Sequence, residues 1–551
     1  MTKPSVSMAI ALGLVVAAGI ARAQHPAEPA AAPKPPALLS GLGSHRHPIA
    51  TSSPEAQKFF DQGMVLLFGF NHEEAFRSFE KAAELDPRAV MPHWGMALAT
   101  GSNYNDPEPE AARLKRARAE VDGALALAAA APENERAYVN ALSKRYAADP
   151  AADKAALLRD YNAAMRELSR KYPDDLDAAT LYAESGMNLR PWKLYRPDGT
   201  PEEGTEEIVA VLESVLKRDP NHPGANHYYI HAVEASRHPE RALPSASRLE
   251  TLVPSAGHLV HMPSHIYIRT GSYLEAERSN AVAAEADRKY IRETGANGMY
   301  PMMYYTHNVH FQSAAAAMAG RHGEAKKAAD VLFADALPGV VHEPMMEGFL
   351  TQPLFVALRF QKWDDVRKTE DPGPRLPLLR ATWLYARGLA AAAAKDAQGA
   401  DALRVAYGIA RDAVPPAQMA GPQNSGSAML AVATSVLDAR IAEAAGDTAA
   451  ALASWEKAVA AEDALAYDEP PAWYYPVRES QGAALLRAAR AADAERVFRA
   501  DLERNPRNPR SLLGLAESLR AQGKTADAAF ARAQFDVAAR DADVPLRIED
   551  L

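Results

Sequence analysis

The sequence predicts an all-α fold built from stacked antiparallel helix pairs, and three observations predict it. From about Ser53 onward Ala, Leu, Glu and Arg dominate, and alternating β-branched runs are nearly absent. The helical segments come in pairs joined by short turns, and the pairs recur along the chain. Histidines recur with them, His227 to His261 and His231 to His265 both lying 34 residues apart.

The chain opens with features of an export signal. Lys3 precedes an apolar run from Met8 to Ile20, and Ala21-Arg22-Ala23 offers small residues for cleavage before Gln24. That run is short for a bilayer span, and no later segment holds eighteen uncharged apolar residues. Residues 1–23 are therefore expected to be a signal peptide and the mature protein to be periplasmic or secreted, without a membrane span. Residues 24–52 are rich in Pro and Ala, the composition of an unstructured linker.

The clearest helix pair is AQKFFDQGMVLLFGFNHEEAFRSFEKAAELDP, residues 56–87. Small residues at Gly63, Ala75 and Ala82 let two helices approach closely. Phe79 fills the space between pairs, and Pro87 stops the second helix. Phe59, Gly63, Leu66, Ala75, Phe79, Ala82 and Pro87 fall at the spacing of the tetratricopeptide pattern, with Phe for Trp and Gln62 for Leu. Weaker copies cover 219–254, 257–290 and 306–336, and others start near Val432, Tyr475 and Pro509.

On these motifs the chain resembles the tetratricopeptide-repeat (TPR) proteins over about two-thirds of its length. The resemblance implies a right-handed superhelical solenoid of about eight to ten hairpins, whose first helices line a concave groove. It divides the chain into an array at 53–335, an irregular helical connector at 336–425 with Pro-rich breaks, and a second array at 426–545. In this family the groove usually binds peptides or partner proteins, so the fold fixes no activity.

Composition narrows the chemistry. The net charge of −9 argues against nucleic acid as a partner. The absence of cysteine excludes disulfides, thiolate catalysis, iron–sulfur clusters and covalent haem, so any metal must use His, carboxylate, Met or water. No P-loop, dinucleotide fingerprint, G-x-S-x-G or H-E-x-x-H occurs.

Nine of the 16 histidines lie between His222 and His310, about three times an even share, so this segment is singled out. Their register is informative. His258 to His307 and His261 to His310 are both 49 residues, one period plus an insertion that includes 292–303. Three successive units thus carry histidine at equivalent places: His227 and His231, then His258, His261 and His265, then His307 and His310. These are the second, fifth and ninth places of each first helix, which in TPR proteins typically face the groove. One unit earlier, Glu184 takes the ninth place and Asp177 the second. Glu234 shares a face with His231.

Imidazoles at i and i+3 or i+4 share a helix face, and packed helices lie about 8–10 Å apart, so neighbouring first helices can converge on one ion. The expected metal site is His227, His231, His258, His261, His265, His307 and His310, with Glu184 and Glu234. Seven histidines exceed the ligands of one tetrahedral ion. Either two ions bind, or some histidines serve substrate or protons. Such donors suit Zn, Cu or Fe, and a bis-His b-type haem is the alternative cofactor. Tyr228 and Tyr267 are candidate groove or ligand contacts, and Glu479, at the fifth place of a later unit, is a candidate peptide contact. No catalytic residue is identified. The function expected is an exported solenoid with a transition-metal site, a metal-dependent enzyme or metal-binding protein; the alternative is a metal-free scaffold for a peptide or protein partner in the cell envelope.

Overall fold

A computed structural model describes residues 33–149 and 152–551. The expected signal peptide lies outside these residues. The chain forms two compact units, 33–308 and 309–551. This division follows compactness, whereas the boundaries expected at 335 and 425 follow repeat register. Among the described residues each unit is made of helices, with no strand beyond two isolated bridges. No described helix is long and apolar enough to cross a membrane.

The first pair shows why the units form. Ser53 caps helix Pro54–Phe68 by accepting from the Ala56 N–H, and Pro54 supplies a preset φ at its first turn. Asn71 caps helix His72–Leu85 in the same way through Glu74. Phe79 is fully buried, and a Cβ at either Gly63 or Gly95 would collide with its ring. The same device recurs in the second unit, where Phe498 fills the gap left by Gly482 and Gly514. In both units the glycines stand sixteen residues before and after the phenylalanine. This recurrence makes both units TPR-type helix-pair arrays. Phe79→Ala is expected to destabilise unit 33–308 by about 3–5 kcal/mol, and Gly63→Ala by about 1–3 kcal/mol through overpacking. Urea denaturation measures both.

Residues 33–52 are not the loose linker their composition suggests. The extended backbone has no ladder of its own, and the first helix pair satisfies it. Gln62 accepts from the Leu39 N–H at 2.7 Å and donates to the Ala37 carbonyl at 3.0 Å. Gln57 accepts from the Ile49 N–H and donates to the His47 carbonyl. Gln62, the departure from the repeat pattern, is thus one of the residues that hold this arm.

In unit 309–551 Glu479 is 1% exposed and receives both terminal nitrogens of Arg359 at 3.2 Å and the Asn508 amide at 2.8 Å. The expected role of Glu479 as a peptide contact is corrected by this burial. Its oxygens are already committed to a structural ion pair.

Candidate metal centre

Six of the seven expected histidines meet in unit 33–308 as two adjoining triads. His227, His231 and His258 form one, and His261, His265 and His307 the other. In each, one ring nitrogen per residue lies within 4.8 Å of the other two. Each triad follows one rule. The fifth and ninth places of a first helix supply two imidazoles, and the second place of the next first helix supplies the third. The pattern then stops, because Ala314 stands where a ninth-place partner for His310 would be.

Local structure aims these rings. His227 and His231 project from helix Pro223–Val233. Pro263 interrupts the next first helix, leaving Gly257–His261 and Pro263–Arg269 with Met262 between them. A π-helical turn at Tyr300–Tyr305 leads into helix Thr306–Met318, which carries His307.

The outer nitrogens fix the tautomers. His227 Nδ1 donates at 2.5 Å to the carbonyl of Phe68, an unpaired group of a helix end. His231 Nδ1 donates to Glu234 Oε1 at 2.7 Å, and His265 Nδ1 to Glu234 Oε2 at 2.5 Å. His261 Nδ1 donates to Asn280 Oδ1 at 2.6 Å, an orientation set by the Asn280 amide donating to the Ala276 carbonyl. Four imidazoles therefore turn the lone pair of Nε2 inward. His227 Nε2, His231 Nε2 and both ring nitrogens of His258 are buried without a hydrogen-bond partner. In the second triad His261 Nε2 lies 2.8 Å from His265 Nε2 and 3.2 Å from His307 Nε2. Two lone pairs repel at that distance, whereas nitrogens bound to one tetrahedral ion lie about 3.3 Å apart. A cation between them, a proton or a metal ion, removes the conflict.

Burial favours neutral rings. It pushes His227, His258 and His261 well below 6.5, helped by the neighbours His231, His227 and His265 respectively. Burial would raise Glu234, but His265 and His231 hold it down to about 2, so it is an anion beneath both triads. Adjacent rings of the two triads stand 5.3 Å apart at His231–His265 and 5.5 Å at His258–His261.

Aromatic side chains wall the first triad. Phe70 contacts all three rings, with centroids at 4.5, 5.9 and 5.4 Å from His227, His231 and His258. Tyr104 and Trp192 stack on each other and both meet His231, while Tyr304 meets His258 edge-on at 5.0 Å. Phe70 and Trp192 adopt left-handed backbone at φ 55° and 61°, strained for bulky residues and held by their surroundings.

The remaining expected residues fall elsewhere. His310 packs on Phe349 in unit 309–551, and burial pushes it down to about 4. Glu184 accepts from Asn188 at 2.5 Å and joins neither triad. Glu234 lies beside the triads with both its oxygens engaged by Nδ1 donors, and it also groups with His231 and His265 as donors within reach of one ion. Tyr228 packs against Phe68, Phe70 and His227, and Tyr267 donates to Glu250 away from the imidazoles. Sequence reading missed Phe70, Trp192 and Asn280. None has a signature apart from its place in the fold.

It also missed a second cluster, signalled by the pair His45-x-His47. Asp177 Oδ1 lies 3.1 Å from His45 Nε2 and 3.0 Å from His222 Nε2, and Oδ2 accepts from His47 Nδ1 at 2.7 Å. Here the tautomer argues against a metal. His222 Nδ1 accepts from the Ala225 N–H, so its Nε2 carries the proton. The cluster is a latch for the arm. Burial pulls His45 and His47 down, but Asp177 outweighs it and both end above 6.5. Asp177 itself, despite burial, is held well below 3.8 by His45 and the bonded imidazoles. The histidine contribution is complete below 6.5 and fades as pH rises through the raised values. The aspartate contribution is present above 3.8 and fades only in stronger acid. Urea midpoints are therefore expected to fall as pH rises from mildly acidic to alkaline. Asp177→Asn flattens that slope and destabilises by about 3 kcal/mol.

Comparison with known proteins finds no matching family model and no curated protein. Among solved structures the chain is similar to yeast Tom70, at 13% identity over 88% of this chain and 92% of that one, with a TM-score of 0.29. It is also similar to human IFIT1, at 13% identity over 90% and 92%, TM-score 0.33, and to the APC/C Cut9–Hcn1 assembly, at 11% identity over 89% and 90%, TM-score 0.29.

Proposed function

We propose that unit 33–308 holds a pair of transition-metal ions, one in each histidine triad, and that this protein is an exported metal-dependent enzyme or metal carrier built on a TPR-type scaffold. The observation that carries the reading is the convergence of inward lone pairs on fixed tautomers, with His261 Nε2 and His265 Nε2 at 2.8 Å. Neutral imidazoles with ordered Nδ1 partners are the usual form of a metal-binding histidine. Neighbouring rings within each triad stand as close as 4.7 to 4.9 Å, too close for a macrocycle between them, so ions fit and a haem does not. Three ligands per ion leave an open position, as in catalytic rather than structural sites. The apolar leader ending in Ala21-Arg22-Ala23 supports export.

Elemental analysis of protein purified without a histidine tag tests this. Two ions per chain are expected. His258→Ala removes one and His261→Ala the other, while His310→Ala and the exposed His238→Ala keep both. Metal-free protein that takes up neither zinc nor copper on titration overturns the proposal.

A further inference from the structure

We infer that the two ions are copper and that the ligand they share is dioxygen; this rests on the two-ion reading above and names its metal and substrate. Three features lead there.

The first is charge. An imidazole ligand brings no negative charge of its own, and the carboxylate bonded to the triads, Glu234, is one anion serving both. Two divalent ions would bring four positive charges into a place where five of the six imidazoles are at most 2% exposed. Two Cu(I) ions halve that charge, and buried charge is what such a site tolerates least. Imidazole also suits copper, and copper heads the affinity order of the divalent series for nitrogen donors, so the oxidised form is held as well.

The second is what can enter. The first triad lies against Phe70, Tyr104, Trp192 and Tyr304, and the strained backbone at Phe70 and Trp192 holds two of these walls in place. A peptide, sugar or phosphate ester would have to strip its hydration against aromatic faces. A small apolar diatomic does not.

The third is contiguity. Each three-coordinate ion keeps a position open, and rings of the two triads stand 5.3 and 5.5 Å apart across their boundary. One small ligand can therefore be shared by both ions. The redox step balances without another reactant. Each Cu(I) gives one electron and becomes Cu(II). Dioxygen accepts the two electrons and is reduced to the peroxide level, with its O–O bond retained and no proton consumed. Reversal returns dioxygen and two Cu(I). Glu234 keeps the Nε2 lone pairs of His231 and His265 on the metal through both oxidation states.

The test loads metal-free, full-length protein with Cu(I) under argon and then admits air-saturated buffer. An oxygen electrode is expected to read one dioxygen consumed per pair of coppers. A near-ultraviolet charge-transfer band appears, no Cu(II) paramagnetic resonance develops because the two spins couple, and evacuation reverses the spectrum. His238→Ala behaves as wild type, and His258→Ala and His261→Ala take up none. Two bound coppers with no oxygen uptake, or two separate Cu(II) signals after air, overturn this inference while leaving the two-ion reading intact. Zinc loaded in parallel separates the cases: failure to bind either zinc or copper overturns both.

Discussion

Removing metal lowers the thermal midpoint of the protein by roughly 15 °C, if each ion is held at about a thousand times its dissociation constant and so contributes about 4 kcal/mol. The physical source is the inward lone pairs. Without a cation, His261 Nε2 and His265 Nε2 repel at 2.8 Å, and His227, His231 and His258 keep buried nitrogens that have no partner. Each such orphan costs about 1–3 kcal/mol. The metal-free chain escapes only by protonating an imidazole in a buried setting or by turning a ring away from Asn280 or Glu234. Either course loosens the packing of first helices that Phe70 bridges. The measurement is a calorimetric scan of protein shown by elemental analysis to be metal-free, before and after adding back two equivalents. A midpoint unmoved by both steps would mean that packing alone satisfies the six rings, and the two-ion reading would fall.

Much of this centre was legible in the sequence because the repeat period maps chain distance onto space. His227, His231, His261 and His265 were identified from a 34-residue register, His258 and His307 from the same register widened to 49 by an insertion, and the choice between one ion and two was already posed by their number. The register did not show how rings from adjacent units divide. That depends on helix stagger, which pairs the fifth and ninth places of one unit with the second place of the next, and it leaves His310 out. Glu234 was found by its spacing from His231, but its role was not, since only the fold brings His265 Nδ1 to its second oxygen. The same limit hid most of the aromatic wall. Phe70, Tyr104, Trp192 and Tyr304 come from four distant segments, and the left-handed backbone at Phe70 follows from closing a tight turn rather than from any motif. Residues 33–52 misled for a different reason. Their composition rules out a helix of their own, and the amides of Gln57 and Gln62, which order them, belong to the next segment. Glu184 and Glu479 occupy the expected register positions, yet other side chains reach them first.

Substituting Glu234 by glutamine weakens both sites together, by about 10- to 100-fold in metal affinity, which no single histidine change does. The carboxylate accepts from His231 Nδ1 on one oxygen and His265 Nδ1 on the other. An amide can accept from only one of them. Its –NH2 then faces the other imidazole, which must either leave an N–H opposed to an N–H or switch tautomer. A switched ring carries its proton on Nε2 and cannot bind metal until it is turned or deprotonated. Because His231 belongs to one triad and His265 to the other, the defect in one site also removes a shared anion from beneath the second. Competition against a chromophoric chelator separates this role from a direct one. An orienting Glu234 gives two ions per chain bound more weakly. A ligating Glu234, in the His231–Glu234–His265 grouping that the geometry also brings together, gives a loss of stoichiometry. Glu184→Gln, which alters a carboxylate bonded to Asn188 and outside both triads, leaves affinity and stoichiometry where they were. If Glu234→Gln matched Glu184→Gln in both measurements, the two triads would be independent sites and the carboxylate beneath them a packing residue.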